Sequence, residues 1–331
     1  MHFIRYLRRT ALLSCAAFGF ATPAGAAENS AAERFPSRPI RLLVPFAPGG
    51  GNDFLARLVG QKLGAQFGQQ FVVDNRAGAG GIIATDLVAK AAPDGYTLLL
   101  GFIGPLAISP HFEKVPYDPA RDFAAARMLA STYHVLVTHP SLQLRTVKDL
   151  IALAKAKPGA LSFASAGHGS PPHLVGELLK ATMDVNITHI PYKGAGPATI
   201  ALLSGEAHML FAAMTAVNQH VRANRLIALA VTSPARSAVL PEVPTLAESG
   251  VHNVEVGAWY ALLAPAATPR AIIARLHTEM TKVAAMPDYL QQLEKQAFVP
   301  LAGGPESFPA FIKAELAKWG KVINAGNVKT Q

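Results

Sequence analysis

The stretch Ile40–Arg57, reading IRLLVPFAPGGGNDFLAR, constrains the fold more than any other part of the chain. Ile40–Phe46 is a short apolar run that suits a buried strand. Pro48 follows, then Gly49, Gly50 and Gly51, which permit backbone geometry that side chains would block. Asn52 and Asp53 are good first-turn residues, and Leu55, Leu58 and Leu63 set a helical period. A strand, a glycine loop and a helix start aim backbone N–H groups at whatever sits above the strand. A helix N-terminus carries roughly half a positive charge, so the natural guest is an anion. An ordinary tight βα turn reads the same way. What separates the two is repetition.

The unit recurs. Gln70–Asp74 reads as a strand entering Asn75–Gly81, with a helix over Ile82–Ala91. Tyr96–Leu100 is a strand that leaves through Gly101-Phe102-Ile103-Gly104-Pro105. Val135–Thr138 is strand-like, and Thr146 caps a helix running to Lys157, where Pro158-Gly159 ends it. Leu161–Ala164 precedes Ser165–His173 and a helix through Leu179, with Ser170 as N-cap and Pro171 at the first helical position. Ile187–Pro191 precedes Tyr192–Pro197 and a helix to Leu203. His208–Ala212, a helix over Ala216–Ala223, and Ile227–Thr232 complete the block. Beyond it, 233–250 reads as irregular and 254–264 as extended, followed by helices at Pro269–Ala285 and Ser307–Asn324. Alternating strands and helices joined by glycine loops argue for an α/β fold with parallel sheet. Open sheets of this kind bind ligands beyond the carboxyl ends of their strands. Two such domains face to face would point several helix N-termini into one cleft, an anion cage with few charged side chains.

The N-terminus adds location. Arg5, Arg8 and Arg9 precede the apolar stretch Ala11–Ala21, which is too short to span a bilayer, and Ala24-Gly25-Ala26 is a small-x-small cleavage pattern. Residues 1–26 therefore read as a secretory signal peptide, and the exported chain is expected to begin near Ala27 in the periplasm. Cys15, the only cysteine, lies inside that segment, so no disulfide, thiol nucleophile or cysteine-ligated metal is expected. Losing three arginines takes the formal charge from +9 to +6, and the basic residues are scattered. That suits an acidic small molecule and gives no sign of a nucleic-acid arm.

Signatures of catalysis are missing. There is no G-x-S-x-G elbow, no G-x-x-x-x-G-K-[ST] phosphate loop and no H-E-x-x-H, and Gly78–Ile83 fails the dinucleotide fingerprint. His168 and His173 stand five apart, awkward spacing for metal ligands on one helix face, so neither metal nor cofactor is expected. Both histidines can hydrogen-bond a ligand or simply be solvated. Lys193 either offsets ligand charge or lies on the surface. Trp259 and Tyr260 either wall a cleft or belong to the core. Asp53 would repel an anion directly, so its expected place is beside its own helix start, orienting the loop.

Taken together, Pro36–Ile40, Val44–Gly50, Asp74–Gly81, Ala92–Thr97, Ser165-Ala166-Gly167, His173-Leu174, Pro191–Gly194, Val243-Pro244-Thr245 and Trp259-Tyr260 resemble the Bug-type periplasmic solute-binding proteins, the binding components of tripartite tricarboxylate transporters. The resemblance runs from about Phe35 to Gly326. It implies a two-domain type II periplasmic binding protein (a Venus flytrap) that closes on a small carboxylate without catalysis and serves integral membrane transporter subunits. Domain 1 is expected to be discontinuous, 27–130 plus 255–331, and domain 2 to span 131–254, with crossings near 130–134 and 253–257. The implied ligand-binding loops are Ala47–Asp53, Ala77–Gly81, Ser165–His173 and Tyr192–Gly196, and the implied ligand-binding set is Pro48, Gly49, Gly50, Gly51, Asn52, Asp53, Gly78, Ala79, Gly80, Phe102, Ser165, Ala166, Gly167, His168, Ser170, His173, Tyr192, Lys193, Gly194 and Ala213. Two departures narrow the ligand. Phe102 adds apolar surface, and Phe211-Ala212 stands where relatives commonly carry Phe-Asp, removing a partner for an ammonium group. An organic acid without an amino group, aromatic or dicarboxylic, is expected, bound by a monomer. A periplasmic sensor reporting to a membrane receptor would use the same physics, and an exported α/β enzyme acting on a carboxylated substrate is the remaining alternative.

Overall fold

A computed structural model describes residues 34–326 and Val328, so the signal-peptide reading lies outside the described residues. The strands are β1 Ile40–Val44, β2 Phe71–Asn75, β3 Thr97–Phe102, β4 Phe123–Thr138, β5 Ser162–Ser165, β6 Thr188–Pro191, β7 Met209–Ala213, β8 Ile227–Val231, β9 Gly257–Pro265 and β10 Phe298–Pro300. The helices are α1 Gly51–Phe67, α2 Ile82–Ala89, α3 Val147–Ala156, α4 Pro171–Met183, α5 Ala195–Leu203, α6 Met214–Arg222, α7 Arg270–Ala284, α8 Pro287–Lys295 and α9 Phe308–Ala325. No helix among them is long and apolar enough to cross a membrane.

Hydrogen bonding links the strands in the order β2-β1-β3-β9-β4-β7-β5-β6, with β8 and β10 also on β4. β1 pairs in parallel with β2 and β3, and β5 pairs in parallel with β6 and β7. Parallel strands are covered on both faces, which is why β1 is a nearly unbroken apolar run with Leu42, Leu43 and Val44 fully buried. Each such leucine contributes roughly 1.5–3 kcal/mol relative to exposure. The chain leaves α1 through Gly68, whose φ of 64° is the left-handed stop that glycine adopts without steric cost.

β4 is the long member. Phe123–Tyr133 pairs antiparallel with β9, and His134–Thr138 pairs with β7. The same C-terminal portion pairs with β8, from Val135–Val231 to Thr138–Ile227, while Ala130–Thr132 pairs with β10. The partners of one continuous strand therefore change between Tyr133 and His134.

Most expected elements lie within a few residues of their observed bounds, and Ser170 accepts from the His173 amide as an N-cap should, at 3.4 Å. Three features depart. The strand expected at Val135–Thr138 begins at Phe123, because pairing with β9 and β10 overrides the weak strand preference of its alanines. α8 and β10 were not expected in the tail, although Pro287 sits at a first-turn position that helices accept. The segment Gly104–Ile108, expected as loop, is a wide helical turn.

Candidate functional site

Four helices begin at the carboxyl ends of their strands around one enclosed space. α1 enters it with Gly50, Gly51 and Asn52, α4 with Pro172, α5 with Ala195, and α6 with its N-cap Ala213. Phe46, Ala47, Phe102, His134, Ala166, Ala212 and Tyr260 complete the wall. The cavity holds about 30 Å³, on the order of one or two water molecules. At this wall spacing it admits a group about the size of a carboxylate.

Its electrostatics come from the backbone. Among the described residues, no carboxylate, lysine or arginine lines it. Burial pushes His134 down to about 4, against the opposing pull of the Val256 carbonyl, so the imidazole is neutral at pH 7. Burial also pushes the Tyr260 phenol up, and it stays protonated. What remains is the positive end of each helix, worth about 0.3–1 kcal/mol toward an anion and up to ~2 when partly buried. Asn52 is buried, and its Oδ1 has no partner among the described residues. Aromatic rings make the apolar side: Phe102 lies edge-on to Phe46 at 5.4 Å and tilted on Tyr260 at 5.1 Å.

Asp53 stands where its helix needs it. Its carboxylate pairs with Arg57 at 2.9 Å and accepts the Gly49 amide at 3.3 Å, bracing the glycine loop from behind. The two walls also touch directly. The Ala47 amide donates to the Lys193 carbonyl at 2.9 Å. Glycine is required at the closest approaches: a Cβ on Gly196 would stand 2.2 Å from the Pro48 carbonyl oxygen, and one on Gly80 would stand 2.0 Å from that of His168.

A second space, a groove of about 430 Å³, shares Ala166 with the cavity and opens outward between the 78–80 and 166–168 loops. Of the sequence-derived residues, Gly50, Gly51, Asn52, Phe102, Ala166 and Ala213 border the cavity. Gly78, Ala79, Gly80, Gly167, His168, His173, Tyr192 and Lys193 border the groove. Pro48, Gly49, Asp53, Ser165, Ser170 and Gly194 border neither and shape the loops from within. Tyr260 lines the cavity, whereas Trp259 is core, its indole N–H donating to Glu315 at 2.7 Å. Ala47, Pro172 and Ala195 border the cavity from inside the loops that the family resemblance implied. Sequence reasoning did not single out Phe46 or His134 for the cavity, nor Phe112, Glu113 and Pro191 for the groove. Phe46 flanks its loop and was within reach. His134 lies inside a strand and carries no motif.

The geometry matches a known group. The sequence signature described as "Tripartite tricarboxylate transporter family receptor" covers residues 55–328. The chain belongs to this receptor family. Protein BugT of Bordetella pertussis is 38% identical over 312 residues, covering 94% of this chain and 96% of BugT. Among solved structures, R. palustris Rpa4515 with adipate superposes with a TM-score of 0.85 at 35% identity, covering 89% of this chain and 99% of that one. MatC (Rpa3494) from Rhodopseudomonas palustris with bound malate gives 0.82 at 29% identity, covering 87% and 100%. The α/β fold of this receptor is thus that of two-domain periplasmic binding proteins.

Proposed function

We propose that this receptor is a periplasmic solute-binding protein that closes on a small organic carboxylate lacking an ammonium group and presents it to membrane transporter subunits. The observation that carries the reading is the convergence of the α1, α4, α5 and α6 N-termini on a cavity without a charged side chain. Such a wall offers N–H donors and positive dipoles to an anion and nothing to an ammonium group. Ala212 puts a methyl where a carboxylate would be needed to pair with an amine. Phe46, Phe102 and Tyr260 favour a ligand with an apolar body, aromatic or a dicarboxylic chain.

Mechanistically, the ligand selects the closed arrangement through contacts that both walls make together. We place the two moving units at 27–130 plus 255–331 and at 131–254. The change of partners along β4 at Tyr133–His134 supports that division. The chain acts as a monomer in this reading, and the signal-like segment at 1–26 supports export.

A thermal-shift screen against dicarboxylates, tricarboxylates, aromatic acids and amino acids tests it. A ligand at a hundredfold excess over its Kd adds about 2.7 kcal/mol to the folded state, a rise of several degrees. A rise confined to non-amino acids is expected. A rise with amino acids alone, or with none of the acids, contradicts the reading.

A further inference from the structure

Three histidines gather beside the groove, at positions no sequence spacing connects. His173 sits in the first turn of α4, His168 in the loop before it, and His189 in β6, in register with Phe163 of β5. One ring nitrogen from each lies within 4.8 Å of the others. The ring centroids are 5.2 Å apart for His168–His173, 5.0 Å for His168–His189 and 4.4 Å for His173–His189. Three imidazoles on a tetrahedral ion with metal–nitrogen bonds of about 2.0–2.1 Å would place their ring centres roughly 5 Å apart.

We propose that His168, His173 and His189 form a binding site for one divalent transition metal of the zinc class, with the fourth position open to the groove. The surroundings fit that role. Ser165 Oγ holds His189 Nε2 at 2.6 Å, orienting the ring and leaving Nδ1 as the ligand atom. His173 Nδ1 accepts the Gly169 amide at 3.3 Å, leaving Nε2. Metal on Nε2 puts the ring proton on Nδ1, so this long bond gives way. A tetrahedral set needs nitrogens roughly 3.4 Å apart, so the rings, each with a nitrogen within 4.8 Å of the others, must shift on the order of 1 Å. His168 and His173 line the groove, which gives an ion its route.

Ligand type selects the ion. Three neutral imidazoles suit zinc-class ions, whereas calcium and magnesium require oxygen ligands. Lys193 and Glu113 both line the groove, so water or an anionic oxygen can take the fourth position. Because His168 and Gly167 also meet Gly80 across the cleft, loading the site bears on the closure contact at that point. The site does not depend on which acid fills the cavity.

The test uses the purified chain, stripped with a chelator and titrated with Zn²⁺ by calorimetry and with Co²⁺ by visible absorption. One equivalent and a tetrahedral cobalt spectrum are expected. His168→Ala and His189→Ala should each weaken binding at least tenfold, and His252→Ala, changed at an exposed position, should leave it unaltered. If His189→Ala does not fold, His168→Ala decides, since that ring is partly exposed. Absence of binding, or binding that survives His168→Ala, overturns the proposal.

Discussion

Gly196→Ala separates closure from folding. Gly196 lies in the first turn of α5, outside the left-handed region, so its backbone accepts alanine. The new Cβ, however, would stand 2.2 Å from the Pro48 carbonyl oxygen on the opposite wall. Ordinary C···O approaches are about 3.3 Å or more, so the walls must part by on the order of 1 Å. Parting stretches the Ala47–Lys193 bond, worth about 0.5–1.5 kcal/mol net. It also withdraws the α5 N-terminus from the ligand, worth about 0.3–1 kcal/mol. Together these come to about 1–2.5 kcal/mol, a loss of affinity of roughly 5- to 70-fold. Calorimetric titration with the acid that emerges from the screen measures this. A melting curve without ligand should show a loss of no more than the roughly 0.5–1.5 kcal/mol of that bond. Unchanged affinity refutes the reasoning, because the walls then do not meet at this spacing when ligand is bound.

Further predictions concern the cavity and its frame. Ala212→Asp places a carboxylate in the wall; at about 5 Å and an effective dielectric near 20 the repulsion is about 3 kcal/mol. Acid binding should fall about a hundredfold in a folded variant, and a loss under tenfold in calorimetry contradicts the anion reading. His134 titrates at about 4 in the fold and at an ordinary 6.5 in the unfolded chain. The unfolded chain therefore holds more protons between those values, so stability rises with pH through that window and is lost, by about 3 kcal/mol, as pH drops from 6.5 to 4. In urea melts from pH 7 to 4, the native chain should lose about that much more than His134→Gln; parallel pH profiles would contradict the assignment. Thr146→Ala removes the N-cap of α3 and should cost about 1 kcal/mol by denaturant unfolding. Ligand affinity should be unchanged, since α3 borders neither cavity nor groove.

The glycine loops were legible because backbone conformation leaves a residue signature. Three glycines after β1, Ser170-Pro171 before α4 and Gly194 before α5 announce helix starts at strand ends, and those starts build the cavity. Residues supplied by long-range pairing were not legible. β4 is a 16-residue strand because β9 and β10 pair with its alanine-rich first half, a partnership that local preference does not encode. His134 reaches the cavity from that strand. His189 reaches His173 only because β6 lies beside β5. The histidines five apart were unpromising as a pair; the third member comes from the sheet.

The central claim is that helix N-termini, and not side-chain charges, hold an anion. Calorimetry comparing the best-binding acid with its uncharged amide addresses it most directly, because the two differ little in size and shape. Saturable binding of the acid, with the amide at least a hundredfold weaker, is the predicted result. An amide that binds within tenfold of its acid would contradict it.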